Sequence, residues 1–198
     1  MIWVCSNKYC YAMRKKRHIG ELLEFDRGDL NDGGYTQGYV LDYSDDWTLI
    51  QFVERDIFIN GYLVIRNDTI KRYQMTFMVH RALRKLGQYP VPPGNLNLTN
   101  ISTIVQSTNA LFPLIVYHRE FRWKDECDIG GIASVTPKVI TITSIDPEAT
   151  YGGLYRIRSA DITKVGFDAH YEKALWAVAS KKTKTRITSG STVWLRRP

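Results

Sequence analysis

The run His118-Arg119-Glu120 is the local group best suited to acid–base chemistry in this chain. Alternation along a strand would put His118 and Glu120 on one face, as a general acid–base pair requires. The same three residues also read as the polar end of a strand, and that reading is preferred. Asp45, Asp46, Glu54 and Asp56 gather around a predicted strand, where loops ordinarily carry solvated charge. His18, His80, His118 and His170 are scattered. There is no Gly-x-Ser-x-Gly elbow, phosphate-cradling loop, dinucleotide fingerprint or His-Glu-x-x-His pair. The glycine pairs Gly33-Gly34, Gly130-Gly131 and Gly152-Gly153 have no following helix to hold a phosphate and read as turns. Cys5 and Cys10 could begin a metal site, but no second Cys/His pair follows at ligand spacing. With Cys127 they read as thiols of a reducing compartment. Neither an enzyme, nor a cofactor, nor a metal is expected.

Charge narrows the choice of partner once it is mapped. The net charge is +7, yet residues 1–20 and 179–198 together hold eleven of the 27 basic residues and no acid. The body between them is therefore acidic on balance. Basic ends containing Lys15, Lys16, Arg17, Lys181, Lys182 and Lys184 could meet phosphates or stay solvated, and both readings stand. No apolar run approaches the length needed to span a bilayer, so no membrane partner is expected and a cytoplasmic location is.

The elements that would carry these groups come in two copies. Sliding the sequence by 92 positions places Gly38 on Gly130, Ile50 on Ile142, Gly61 on Gly153 and Ile65-Arg66 on Ile157-Arg158. Ile70 falls on Ile162 and Ala82-Leu83 on Ala174-Leu175, without a gap. Apolar class persists at Val40/Ile132, Trp47/Val139, Val53/Ile145 and Met75/Phe167. Residues 38–86 and 130–178 are thus read as repeats of one unit. Leu22–Arg27, Gln37–Tyr43, Trp47–Glu54, Tyr62–Arg66 and Thr69–Tyr73 read as five strands, and the apolar residues on both faces of Trp47–Glu54 suggest a strand bent across a barrel. Leu114–Glu120, Gly130–Val135, Lys138–Ile145, Leu154–Arg158 and Asp161–Val165 repeat them. Asn60-Gly61 is a tight-turn signal. A helix follows each set, with stripes Val79/Leu83/Leu86 and Tyr171/Leu175/Val178 as lids. Gly87–Leu98 reads as a proline-rich linker, and Thr99 as the cap of a helix to about Leu111.

In strand number, turns and signature the unit resembles the Sm-like (LSm) family, whose fold is a strongly bent five-stranded barrel of SH3-like kind. The second Sm-type signature, Ile-Arg-Gly-x-x-Ile, is similar to Ile65-Arg66-Asn67-Asp68-Thr69-Ile70 and to Ile157-Arg158-Ser159-Ala160-Asp161-Ile162, with Asn67 and Ser159 in place of the glycine. The first signature keeps its scaffold at Gly38, Val40 and Trp47 and at Gly130, Ile132 and Val139. Its chemical positions hold Ser44 and Thr48, then Thr136 and Ile140. The resemblance implies a mainly β chain with flanking helices, built as two tandem five-stranded barrels each followed by a helix. Residues 21–86 and 113–179 would be the barrel units and 87–112 the linker and helix. Residues 1–20 and 180–198 would be basic extensions.

The resemblance also implies edge-to-edge association of barrels. The expected role is a non-enzymatic interaction protein that joins itself or another protein through strand edges. The alternative is weak, non-specific nucleic-acid binding through the basic ends and Arg66 or Arg158, each of which could instead be held by Asp68 or Asp161. An enzyme without a recognisable motif comes third. Candidate contacts are Arg66, Arg158, Thr48, Trp47 and Tyr43. The two aromatics match Val139 and Val135, which favours core packing. Exposed cations at Lys71, Arg72, Arg81, Arg84 and Lys85 would favour nucleic acid.

Overall fold

A computed structural model describes residues 18–30 and 36–192. Lys15, Lys16, Arg17, Cys5, Cys10 and the Gly33-Gly34 pair lie outside the described residues. The chain is mainly β and divides into two compact units between Pro93 and Gly94. The first unit holds β1 (Leu22–Asp26), β2 (Thr36–Tyr43), β3 (Trp47–Val53), β4 (Ile59–Arg66), β5 (Arg72–Met75) and helix α1 (Phe77–Lys85). The second holds α2 (Ile101–Leu111), β6 (Ile115–His118), β7 (Cys127–Val135), β8 (Val139–Ile145), β9 (Tyr151–Arg158), β10 (Lys164–Phe167), α3 (His170–Val178) and α4 (Lys181–Thr192).

The duplication holds at the level of individual strand partners. Val40 pairs with Ile50 and Trp47 with Arg66; Ile132 pairs with Ile142 and Val139 with Arg158. Leu23 lies between Gly38 and Met75, as Ile115 lies between Gly130 and Phe167. Each unit therefore runs in the antiparallel order β5-β1-β2-β3-β4, or its equivalent β10-β6-β7-β8-β9. Within a unit the end strands do not pair with each other. Each sheet is open, where the sequence reading expected a closed barrel.

The shared glycines explain much of the bend. A Cβ on Gly38 would sit 2.5 Å from the carbonyl oxygen of Gln51, and one on Gly130 would sit 2.3 Å from that of Thr143. No side chain fits there, because β3 and β8 cross too closely. Both copies also carry a bulge just beyond, at Val40/Asp42 and Ile132/Ser134, which sharpens the local twist. Bending gives the first sheet apolar residues on both faces. Leu23, Phe25, Val40, Ile50, Ile65 and Ile70 fill one side, and Leu22, Tyr39, Val53 and Leu83 the other.

Several boundaries differ from expectation for local reasons. Asn60-Gly61 is not the hairpin turn: it lies inside β4, with Gly61 at φ 66 beside a break in register. The chain reverses earlier, where Ile57 takes φ 60 and the Glu54 N–H donates to the carbonyl of Phe58. Ala149 repeats this at φ 58 in the second copy. Gly130-Gly131 is likewise interior to β7 and not a turn. Residues Asn67–Thr69 and Ser159–Asp161 form 3-10 turns, so β5 and β10 begin later than predicted. Asn100, not Thr99, caps α2, accepting the Thr103 N–H at 3.0 Å. The lid stripes are narrower than expected: Leu83 and Leu175 are buried, whereas Leu86, Tyr171 and Val178 are exposed. Finally, residues Lys181–Thr192 are a helix and not a tail, with Ile187 wholly buried against Leu114, Ile145 and Leu175.

Candidate functional site

The turn between β4 and β5 is where the resemblance would place a base-binding pocket. In the first copy its polar groups satisfy one another. The Thr48 hydroxyl donates to Asn67 Oδ1 at 2.6 Å, and Asn67 Nδ2 donates to the carbonyls of Ser44 (3.0 Å) and Asp45 (2.7 Å). The Asn67 backbone N–H reaches the Asp46 carbonyl at 2.8 Å. Thr48 is 1% exposed. Asn67 thus pins the β2–β3 loop to the 3-10 turn. A ligand would have to displace bonds already made in a buried setting, where breaking them is costly.

The second copy closes the same place by other means. Ile140 stands where Thr48 does and is wholly buried. Ser159 stands where Asn67 does; its backbone N–H donates to Lys138, but its buried hydroxyl has no partner. Arg66 lies beside Asp68 (Nε to Oδ1, 2.7 Å). Arg158 approaches Asp161 at 3.9 Å, and Arg122 comes closer to the same carboxylate at 3.3 Å. Exposed pairs of this kind contribute little. Trp47 is buried in the core, and Tyr43 is half-buried at the end of β2. The structure therefore brings Thr48 together with Asn67, keeps Trp47 inside, and leaves the two arginines beside their own carboxylates.

His118, Arg119 and Glu120 lie at the end of β6 and just beyond it. The buried Glu120 carboxylate meets Lys164 Nζ at 3.0 Å and accepts from the Thr163 hydroxyl. The backbone carbonyl of His118 also accepts from the Thr163 N–H. Arg119 bonds Asp128 at 2.6 Å and lies over the rings of Trp123 (4.1 Å) and Tyr155 (5.2 Å). Burial pushes the Asp128 carboxyl up, and the Arg119 guanidinium pulls it partly back. This is a stacked, ion-paired corner that ties β6, β7, β9 and β10 together. Sequence reasoning missed Asp128, Lys164, Trp123 and Tyr155 here. The signal was present: Arg27 falls on Arg119 at the same 92-residue offset, and buried Arg27 likewise donates to Thr69.

The remaining charged candidates lie at the surface. Asp45, Asp46 and Asp56 are exposed, and Glu54 accepts from the Asn60 amide at 2.8 Å. No group of His, Cys, Asp and Glu among the described residues could hold a metal ion. Cys127 is exposed at the start of β7. Lys181 and Lys182 are exposed on α4, while Lys184 donates to the Ala177 carbonyl and lies over Trp176. Lys71, Arg72, Arg81, Arg84 and Lys85 are all exposed; Arg72 meets Asp26 at 2.6 Å and Arg84 lies over Tyr89. No helix among the described residues is long and apolar enough to cross a membrane. No family model matches the chain, and neither does any curated protein or solved structure.

Proposed function

We propose that this chain is a non-catalytic interaction protein whose two copies are Sm-like units, and that it associates with itself or another protein through strand edges. The observation that carries the reading is β9. It pairs with β8 alone, and Leu154 (66% exposed), Tyr155, Arg156 and Arg158 stand open along it. An unpaired edge is a template for an added strand, which natural sheets usually cover or blunt. β5 pairs with β1 alone and exposes Arg72, Gln74 and Met75, so a second open edge of different character is available. The filled pocket at Thr48 and Asn67 supports an edge role over base recognition.

The test is hydrogen exchange on the backbone of Tyr151–Arg158 across a concentration series, with the mass in solution followed by light scattering. Edge pairing predicts that β9 amides gain protection as the mass rises, and that Leu154→Lys lowers the mass without changing the melting temperature. A chain that stays monomeric with β9 unprotected, and that captures no partner there, would refute the reading. Weak, non-specific nucleic-acid binding is the second reading, favoured by exposed Lys71, Arg81 and Lys85. Charge-reversal variants on full-length protein test it better than truncation, since removing residues 180–198 would take Ile187 out of the core.

A further inference from the structure

From the outward face of α1 we infer a second contact surface, independent of the strand edges, that docks on an anionic lipid bilayer. Steps of 100° per residue put Val79 and Leu83 on one side of this helix, facing Leu22, Tyr39 and Val53. Phe77, Arg81 and Lys85 then lie on the opposite side, flanked by Met78 and Arg84. Phe77 and Met78 are 68% and 66% exposed. The face thus combines protruding apolar side chains with cations. From Thr69 to Arg119 the sequence contains no acid.

The second copy shows that the fold does not require this face. At the matching positions α3 keeps Leu175 buried; Ala169, just before the helix, is half-buried, His170, Lys173 and Ala177 are exposed, and half-buried Trp176 stands in place of Arg84. Apolar side chains that stand proud need no shaped receptor to enter the headgroup layer of a bilayer, and neighbouring Lys and Arg are attracted to anionic lipid. A nucleic acid also offers phosphates, but the face has the single ring of Phe77, and Met78 beside it provides no second ring on which a neighbouring base can stack. The first 20 residues carry five basic residues and no acid, so their charge does not suit them to cover a basic face. The contact is peripheral, as no described helix is suited to span a membrane.

The test uses the full chain in co-sedimentation with vesicles of phosphatidylcholine alone and of phosphatidylcholine mixed with phosphatidylglycerol, at low and high salt. Binding is expected only to the mixed vesicles and is lost at high salt. The Phe77→Ser/Met78→Ser and Arg81→Glu/Lys85→Glu pairs should each weaken it by about tenfold or more. Their melting temperatures should match the parent, because these side chains are exposed. Lys181→Glu/Lys182→Glu on α4 should bind like the parent. The inference is overturned if the parent ignores mixed vesicles, if the Phe77/Met78 pair binds them undiminished, or if the α4 pair abolishes binding. It is also overturned if these residues bind a single-stranded oligonucleotide in preference to lipid.

Discussion

In the first copy, position 39 on β2 is a tyrosine whose ring is buried with Leu22, Val53 and Leu83. The matching position of the second copy is Gly131, and there Ile187 of α4 occupies the equivalent space among Leu114, Ile145 and Leu175. A Cβ on Gly131 would meet the Ile187 methyl at 2.9 Å and its carbonyl at 3.1 Å. The Thr143 hydroxyl, on the neighbouring strand, bonds that same carbonyl at 3.1 Å. One scaffold thus covers the same face in two ways: with its own side chain, or by leaving a gap for a helix from later in the chain. The difference teaches that α4 is integral to the second unit, although its sequence Lys-Lys-Thr-Lys-Thr-Arg reads as a basic tail.

The largest expected effect breaks this correspondence on both sides. Tyr39→Ala empties a wholly buried site and should cost about 4 kcal/mol. Gly131→Ala should cost about 2 kcal/mol by overpacking. Its specific mark is loss of exchange protection across Lys181–Thr192, read by mass spectrometry. If α4 stays protected in Gly131→Ala, Ile187 does not depend on the gap and the comparison fails.

The β4–β5 turns give the next contrast. Asn67→Ala leaves the Thr48 hydroxyl and the carbonyls of Ser44 and Asp45 without their amide, and should cost about 2 kcal/mol in chemical denaturation. Ser159→Ala, at the matching place, removes a hydroxyl that bonds nothing and should change stability by less than about 0.5 kcal/mol. Equal costs in the two variants would mean that Asn67 does not lock its loop.

Much of this was legible in the sequence, and the parts that were not have physical causes. The repeat register survives intact because Gly38 and Gly130 are fixed by close backbone approach, which leaves a mark in residue type. The turn at Ile57 leaves none, since an isoleucine at positive φ is disfavoured locally and is imposed by the surrounding hairpin. Asn60-Gly61 then attracted the turn assignment that belonged a few residues earlier. Sequence reading could find the pocket's altered residues but not its filling, because the bonds from Asn67 join segments more than 20 residues apart. The single apolar anchor of α4, Ile187, has meaning only once Gly131 is seen beneath it.

A pH-dependent difference separates the two lid helices. Glu172 of α3 sits where His80 sits in α1, and its carboxylate accepts the Ala169 N–H at 2.7 Å. Burial holds this carboxyl above its ordinary value, and the hydrogen bond from Ala169 opposes the rise. An acid held above its unfolded value binds its proton more tightly in the folded state. Its contribution therefore favours folding at low pH and declines as pH rises from about 4.3 through the raised value. Glu172→Gln removes that decline. Measured from acid to neutral pH, the stability difference should move steadily in favour of the glutamine variant. A difference independent of pH would place Glu172 in water.

The smallest effect concerns one oxygen atom. Phe25 and Tyr117 are matching residues of β1 and β6, and both are buried. The extra hydroxyl of Tyr117 has no hydrogen-bond partner, and burial pushes its phenol further above the ordinary range, so it stays neutral at any working pH. A buried donor without a partner carries a desolvation cost that no bond offsets. Removing it with Tyr117→Phe keeps the ring that packs the sheet and makes the second copy like the first. The variant should be as stable as the parent or more stable by up to about 1 kcal/mol, measured by chemical denaturation. The reverse change, Phe25→Tyr, should destabilise the first copy, because that side of its sheet is lined by Leu23, Val40, Ile50 and Ile65 and the added hydroxyl would be buried among them. A clear loss of stability in Tyr117→Phe would show that the hydroxyl makes a bond in solution, and that the two copies differ at this point by design of a polar contact.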